Sequence, residues 1–403
     1  MALYSTFTSA RDDRQAMTNL LTAVHSSVQE DRAATAIATD GPTTVVEDGT
    51  VTYATLWTLT DRFAKGIRDR GITEDDAVAV RLDDPVAFLV ATYGTLRNGS
   101  VPVTIPDGYD DRDLKGVLEE TAASALVVDD RDPTGLCTRV PGLRIAVTAG
   151  TDAMLGVDLE AFLDNDGIAR SGRTGIAVTP RQDDDRALIA YVGERDGEPL
   201  GIVYSHQCLT ARARAGTALP TGEFESHLGA LPLDRPLEFV YGATATLLSG
   251  GSYCPLPPEK PLARRERLES GTVDRTFLAP NGYDELRQAG IAESVDSIAV
   301  VARPTVPTDT LPEEVLYGTP ETGITHVRGD GVEGDPIGTP LPAIETARLE
   351  DGDDSVLAVA GPTVMDAYQG RQGLTDDICR VVDGDRWVGI ARLPESATSE
   401  SPS

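Results

Sequence analysis

Lysine is almost missing from this chain: Lys65, Lys115 and Lys260 are the only lysines in 403 residues. Basic charge is carried almost wholly by arginine, and no lysine stands in a glycine-rich turn, which excludes a lysine-bearing phosphate loop. Cysteine is nearly as sparse. Cys137, Cys208, Cys254 and Cys379 lie far apart and form no Cys-x-x-Cys pair, so a zinc centre is not expected. The histidines (His25, His206, His227, His326) are equally scattered. Free thiols of this kind fit a reducing cytosol. No signal peptide is evident and no apolar run is long enough to span a bilayer, so the expected location is cytoplasmic. A basic patch is also lacking. Lys+Arg total 35 against 65 Asp+Glu, a net charge of -30 spread along the chain. Nucleic acid is therefore excluded as a partner. A carboxylate-rich, lysine-poor surface suits very high salt, where self-repulsion is screened over a few ångströms.

What is present is an ordinary globular core composition, 40% hydrophobic, in a chain long enough for two or three domains. Residues 12–32 have roughly helical spacing. Val45-Val46 and Thr50–Tyr53 read as two short strands around Glu47-Asp48-Gly49. Leu56, Leu59, Phe63, Ala64 and Ile67 share one helical face, with Gly71 as a cap. Strand 77–82, helix 85–97, strand 101–105, helix 110–121 and strand 125–129 follow. This alternation predicts a doubly wound, mostly parallel sheet. Residues 163–186, rich in Gly, Asp and Arg, read as a linker or flexible loop. A second alternating set starts at Ala187, with strands near 188–192, 228–232, 251–254, 276–279, 297–301 and 315–317. Beyond residue 330 come short strands with glycine turns, 344–349, 356–360 and 379–382. The expected fold is thus α/β, with two doubly wound αβ subdomains and a small β-rich one. Their expected bounds are 1–162, 187–330 and 331–393, followed by a disordered tail at 394–403.

The most informative stretch is Tyr191-Val-Gly-Glu-Arg-Asp-Gly-Glu-Pro-Leu-Gly-Ile-Val-Tyr-Ser205-His206. Gly193, Gly197 and Gly201 would let backbone approach a ligand closely. Yet no lysine and no hydroxyl lies between Tyr191 and Gly201. Glu194, Asp196 and Glu198 outweigh Arg195. A carboxylate about 4 Å from a phosphate costs roughly 4 kcal/mol at an effective dielectric near 20. Arg195 offsets part of that, since guanidinium binds phosphate well. Repulsion wins for a triphosphate, and a plain turn between two strands is the favoured role of the three glycines.

Four segments in order resemble the AMP-binding superfamily of adenylate-forming acyl-CoA synthetases. They are Leu96-Arg97-Asn98-Gly99-Ser100-Val101-Pro102-Val103, the 191–206 stretch, Tyr317-Gly318-Thr319-Pro320-Glu321, and Gly361–Tyr368 with Asp383–Trp387. Asp335–Pro342 stands where the family has a related segment. The resemblance implies the N-terminal part of the adenylate-forming fold, ATP or AMP with Mg²⁺, coenzyme A, and a small carboxylic acid or acyl group. It implies nucleotide contacts for Gly193, Arg195, Gly197, Gly201, Tyr317, Gly318 and Glu321, with Tyr317 on adenine and Glu321 on Mg²⁺. It places Ser205 and His206 at the acyl pocket or in a structural role.

The departures from the family pattern are specific. Leu200 replaces the loop lysine. Pro320 replaces a phosphate-touching threonine and removes a backbone donor. Arg392 stands at the ribose-binding aspartate, and arginine can only donate. Arg303 stands in a segment that is Gly-Gly-Ala-Pro in the family. The mobile C-terminal domain of the family, with its second lysine, is expected to be missing. No catalytic residue is assigned. The expectation is a divergent ligase-family protein whose adenylation by this chain alone is impaired. The alternative is a non-catalytic module that binds an acyl group, nucleotide or protein. A separate C-terminal-domain protein or an acyl carrier would be its partner if it turns over.

Overall fold

The computed structural model describes residues 19–164, 176–219, 224–256, 266–267, 273–288, 290, 298–302, 315–328, 338–351, 354–382 and 385–393. Strands Ala77–Arg81, Val101–Thr104 and Ala125–Val128 are buried along their whole length. Burial on both faces is the mark of parallel strands covered by helices. They pair in parallel register, Val78 against Pro102 and against Ala125. Helix Pro85–Asn98 covers them. Asp84 caps its first turn by accepting from Val86 N and Ala87 N, Pro85 occupies the position where a missing N–H costs nothing, and Gly99 ends it at φ +82°. Nearly every residue of this helix is buried. A helix apolar on all sides must lie between layers.

Two large sheets supply those layers. The first runs Ala367–Tyr368, Glu198–Ser205, Arg186–Arg195, Val101–Thr104, Ala77–Arg81, Ala125–Val128, Ile145–Thr148, Val157–Asp158. The second runs Thr339–Pro340, Gly323–Arg328, Val315–Thr319, Ile298–Ala302, Arg275–Leu278, Ser226–Gly229, Ser252–Pro255, Thr35–Ala38, Thr50–Thr52. A four-stranded antiparallel sheet holds Glu345–Asp351, Asp354–Ala360, Asp385–Leu393 and Cys379–Val382. The α/β class and the small β-rich part match expectation. No helix among the described residues is long and apolar enough to cross a membrane.

Several sequence expectations need correction. The strand at Arg186–Arg195 pairs in parallel with Val101–Thr104, Val103 against Ile189. It therefore completes the first sheet, and the division at residue 187 does not separate the sheets. Conversely Thr35–Ala38, near the chain start, pairs with Ser252–Pro255 in the second sheet. Val45-Val46 is not a strand. Asp84 accepts from Thr44 N and Oγ1, and Thr43 Oγ1 accepts from Val45 N and Val46 N, which coils the segment. The partner of Thr50–Thr52 is Thr35–Ala38. Of the expected linker, residues 176–186 are anchored. Arg97 donates to Ile176 O, Asn19 to Thr179 O, and Arg181 pairs with Glu74, Asp75 and Asp185. Residues 165–175, the tail 394–403, Arg303, residues 335–337 and the 12–18 part of the first helix lie outside the described residues.

Candidate functional site

The glycine frame folds into a β-hairpin. Arg186–Arg195 and Glu198–Ser205 are antiparallel and stay paired to the last step, Gly193 to Leu200, Glu194 to Pro199, Arg195 to Glu198. Asp196 at φ +57° and Gly197 at φ +76° make the two-residue turn. Asp-Gly is the favoured sequence for this left-handed pair, because glycine carries no Cβ penalty there. Gly201 lies against the Tyr191 ring, where a Cβ would come within 2.9 Å of it. Beyond an irregularity between Tyr191 and Gly193, the ladder is regular from Gly193 to Leu200; strand amides there alternate in direction, whereas an anion cradle needs successive N–H groups to converge. The hairpin therefore offers no such cradle.

The hairpin is also held from both sides. Tyr191 donates to the Glu120 carboxylate and Tyr109 to Gly193 O. Arg371 donates to Pro199 O at 3.0 Å and Arg235 to Val192 O at 2.7 Å. Burial, then Glu120, raises the Tyr191 phenol well above its ordinary value, so it stays a donor. Arg195 points outward, 4.0 Å from the exposed Asp196.

Ser205 and His206 are not side by side on a strand. Ser205 ends the strand and caps helix His206–Thr217, accepting from Cys208 N at 3.3 Å. His206 is buried at the helix start, and its Nδ1 accepts from Leu20 N at 3.4 Å. Burial, then the charge of Arg181, pushes its pKa down to about 4. His206 is thus a neutral acceptor that joins the first helix to the hairpin's end.

Tyr317 lies within strand Val315–Thr319 and is 1% exposed. Its ring is enclosed by the core, and its hydroxyl has no hydrogen-bond partner among the described residues. A stacking role on a purine needs an open face, which this position lacks. Glu321 is half-buried, and its Oε1 accepts from Tyr368 at 2.8 Å. Among the described residues, no group of three or more His, Cys, Asp or Glu is arranged to hold a metal ion. The Pro320 carbonyl accepts from Tyr204 and from Arg212, both at 2.9 Å. Gly318 is the one expected nucleotide contact of this motif that lines the neighbouring open space. Arg392 lies in strand Asp385–Leu393 opposite Val356.

That open space is a cavity of about 390 Å³ between the hairpin, the loop 231–237 and the turn 318–324. Its walls are mostly apolar: Leu231, Pro232, Leu237, Ala279, Pro320, Ile324. Tyr241, Arg212, Arg235 and Thr319 supply the polar groups, and among the described residues no carboxylate lines it. Arg212 is the unusual member. It is fully buried and donates to Thr363 O (2.8 Å), Pro320 O (2.9 Å) and Glu321 O (3.1 Å). Its guanidinium carbon sits 4.5 Å from the Tyr204 ring centre. No described carboxylate pairs with it. A buried cation held only by carbonyls is costly unless an anion arrives.

The expected site residues thus part company. Gly318 borders the cavity, with Pro320 beside it. Gly193, Arg195, Gly197 and Gly201 belong to a closed hairpin, and Tyr317, Ser205 and His206 are internal. Arg212, Tyr241 and Tyr368 were not anticipated. Arg212 did carry a signal: it falls on the buried stripe Leu209, Ala213, Gly216 of its helix, where a charge needs a reason.

Two αβ layers, a helix buried between them and a glycine hairpin beside a cavity define an adenylate-forming architecture. The profile of the AMP-binding enzyme family matches residues 25–369, and the chain belongs to that family. A 2-hydroxy-7-methoxy-5-methyl-1-naphthoate–CoA ligase of Streptomyces carzinostaticus is 29% identical over 367 residues, 85% of this chain and 62% of that ligase. This chain is thus shorter than such relatives. ATP-bound MatB from Rhodopseudomonas palustris superposes with a TM-score of 0.76 at 20% identity, over 93% of this chain and 75% of MatB. The N-terminal subdomain of Klebsiella oxytoca NpsA, in complex with anthranilyl-AMSN, gives 0.70 at 18% identity, over 93% and 96%. At such identities the structures share the fold.

Proposed function

We propose that this chain is a divergent acyl-CoA ligase-like protein in which adenylation by the chain alone is impaired, and that its retained capacity is to bind a small carboxylic acid or acyl group. The observation that carries this is the hairpin paired to Arg195–Glu198. The residues at the old phosphate position do not fit a triphosphate: the amides alternate, Glu194, Asp196 and Glu198 repel it, and Leu200 cannot clamp it. Glu321, the one candidate Mg²⁺ ligand, is engaged by Tyr368. No step through ATP or Mg²⁺ follows from such a site.

The cavity supports the second half of the reading. Apolar walls suit an acyl tail, and the buried Arg212 supplies a counter-charge for a carboxylate head. Binding would order the cation's surroundings and relieve its isolation. A melting-temperature series tests it. Octanoate, benzoate and acetate are each compared with ATP plus Mg²⁺ and with coenzyme A, in molar KCl. The expected outcome is a rise with octanoate or benzoate and none with ATP. A rise with ATP plus Mg²⁺ and none with any acid would overturn the reading.

A further inference from the structure

Beneath the cavity lies a second group of charged side chains that the ligand site does not include. Glu238, His227, Arg275 and Tyr253 are all at most 1% exposed. They come from four elements: the π-helix Leu237–Thr244 and the strands Ser226–Gly229, Arg275–Leu278 and Ser252–Pro255. Arg275 Nε donates to His227 Nδ1 at 3.1 Å, and His227 Nε2 lies 3.2 Å from Glu238 Oε1. Tyr253 donates to the same Glu238 oxygen at 3.1 Å.

The proton positions follow from the bonding. Arginine only donates, so Nδ1 must be an acceptor, and a carboxylate only accepts, so Nε2 must carry the hydrogen. His227 is then a neutral bridge between a buried cation and a buried anion. Burial favours that neutral form, lowering the imidazole pKa. Burial lowers Arg275 too, to about 9, which leaves it charged at neutral pH. A Cβ on Gly242, one turn beyond Glu238, would stand 2.7 Å from Glu238 Oε1 and 2.9 Å from His227 Nε2. Glycine is what lets the relay close.

The relay reaches two cavity-lining elements through Arg275. Its Nη2 donates to Tyr241 O at 3.1 Å, inside the π-helix, and its Nη1 donates to Gly216 O at 2.8 Å, on the helix that carries Arg212. Tyr241 in turn accepts from Ile324 N at 3.0 Å, on a third such element. A π-turn of eight residues is a poor use of backbone unless its surroundings hold it.

We propose that Glu238, His227 and Arg275 form a buried relay that holds the Leu237–Thr244 turn in its wide form and so sets Tyr241 and Arg212 in the cavity: they are positioning residues for the cavity's ligand. The binding part rests on the reading that this cavity takes a carboxylate. Without the relay the turn tightens toward α geometry, and Tyr241 changes register against Ile324.

Two measurements test this. The first needs no ligand and no variant: ¹⁵N NMR of the imidazoles of the intact chain. His227 is expected to remain the neutral Nε2–H tautomer through the pH range in which an unperturbed imidazole titrates. A cationic His227 or the Nδ1–H tautomer at neutral pH would overturn the relay. The second compares octanoate affinity in Glu238→Ala and Glu238→Gln. Glutamine keeps an oxygen for His227 and Tyr253. Folded Glu238→Ala is expected to lose roughly tenfold or more in affinity, with partial rescue in Glu238→Gln. Unchanged affinity in folded Glu238→Ala would overturn the positioning role. If the unaltered chain binds no carboxylate, the functional reading fails, while the NMR result still decides the relay.

Discussion

The phenol of Tyr368 donates to Oε1 of Glu321 at 2.8 Å, across 47 residues of chain. The carboxylate that the family resemblance assigns to a metal is thereby part of an internal hydrogen bond. Tyr368 lies on a two-residue strand that pairs with the outer edge of the hairpin, Tyr368 against Ile202. The pair therefore ties the 318–324 turn to the hairpin as well as occupying Glu321. Burial, then Glu321, raises the Tyr368 phenol, which keeps it a donor. Tyr368→Phe should cost about 1–2 kcal/mol, read in urea melts, and should not create an ATP-dependent shift. A melting rise with ATP plus Mg²⁺ in that variant would show that the tyrosine alone had blocked the metal.

Restoring the missing lysine should not restore the reaction. Leu200 pairs with Gly193 inside the ladder, so a lysine there would sit on a strand beside Glu194 and Glu198, with no converging amides around it. Leu200→Lys is expected to remain without ATP–pyrophosphate exchange. Gly197→Ala, at φ +76°, should instead destabilise the fold by about 1–2 kcal/mol. Stability unchanged in Gly197→Ala would mean that the tight turn is not populated in solution.

Much of this was legible in the sequence, and the exceptions have physical causes. The alternation of strands and helices from 77 to 129 announced a mostly parallel sheet. The Asp196-Gly197 pair is a strong local hairpin signal, because only the left-handed turn needs it. Sheet membership was not legible. Val103 meets Ile189 across 86 positions, and nothing local in either strand names its partner. The cavity was half legible: Gly318 and Pro320 lay in a recognisable segment. Arg212 sits in a helix with no motif around it, and Glu238, His227 and Arg275 are brought together only by the second sheet. Tyr317 kept its family position while its ring is enclosed by the core, a difference of packing that a motif does not record.

Arg212 should matter for both stability and ligand. Arg212→Met removes three charge-assisted hydrogen bonds to carbonyls, and the orphaned acceptors make a loss on the order of 3 kcal/mol the expectation. Octanoate should no longer raise the melting temperature of the folded variant. An undiminished octanoate shift in Arg212→Met would remove the guanidinium from the ligand's recognition.

Acid should weaken the fold through His206. Its pKa is pushed down to about 4 from the ordinary 6.5, so between those values the unfolded chain binds more protons than the folded one. Stability is present above pH 6.5 and is lost as pH falls towards 4, by roughly 3 kcal/mol at the lower end. His206→Asn, whose Oδ1 can take the place of Nδ1 as acceptor, should flatten that part of the pH–stability curve. An identical slope in the variant would show that His206 is protonated in the fold.

The central claim is that the cavity has outlived the phosphate site. ATP–pyrophosphate exchange by this chain alone, across a panel of carboxylic acids in molar KCl, tests it most directly. The expected result is no exchange above the acid-free blank, with the same protein stabilised by octanoate. Acid-dependent exchange would contradict it.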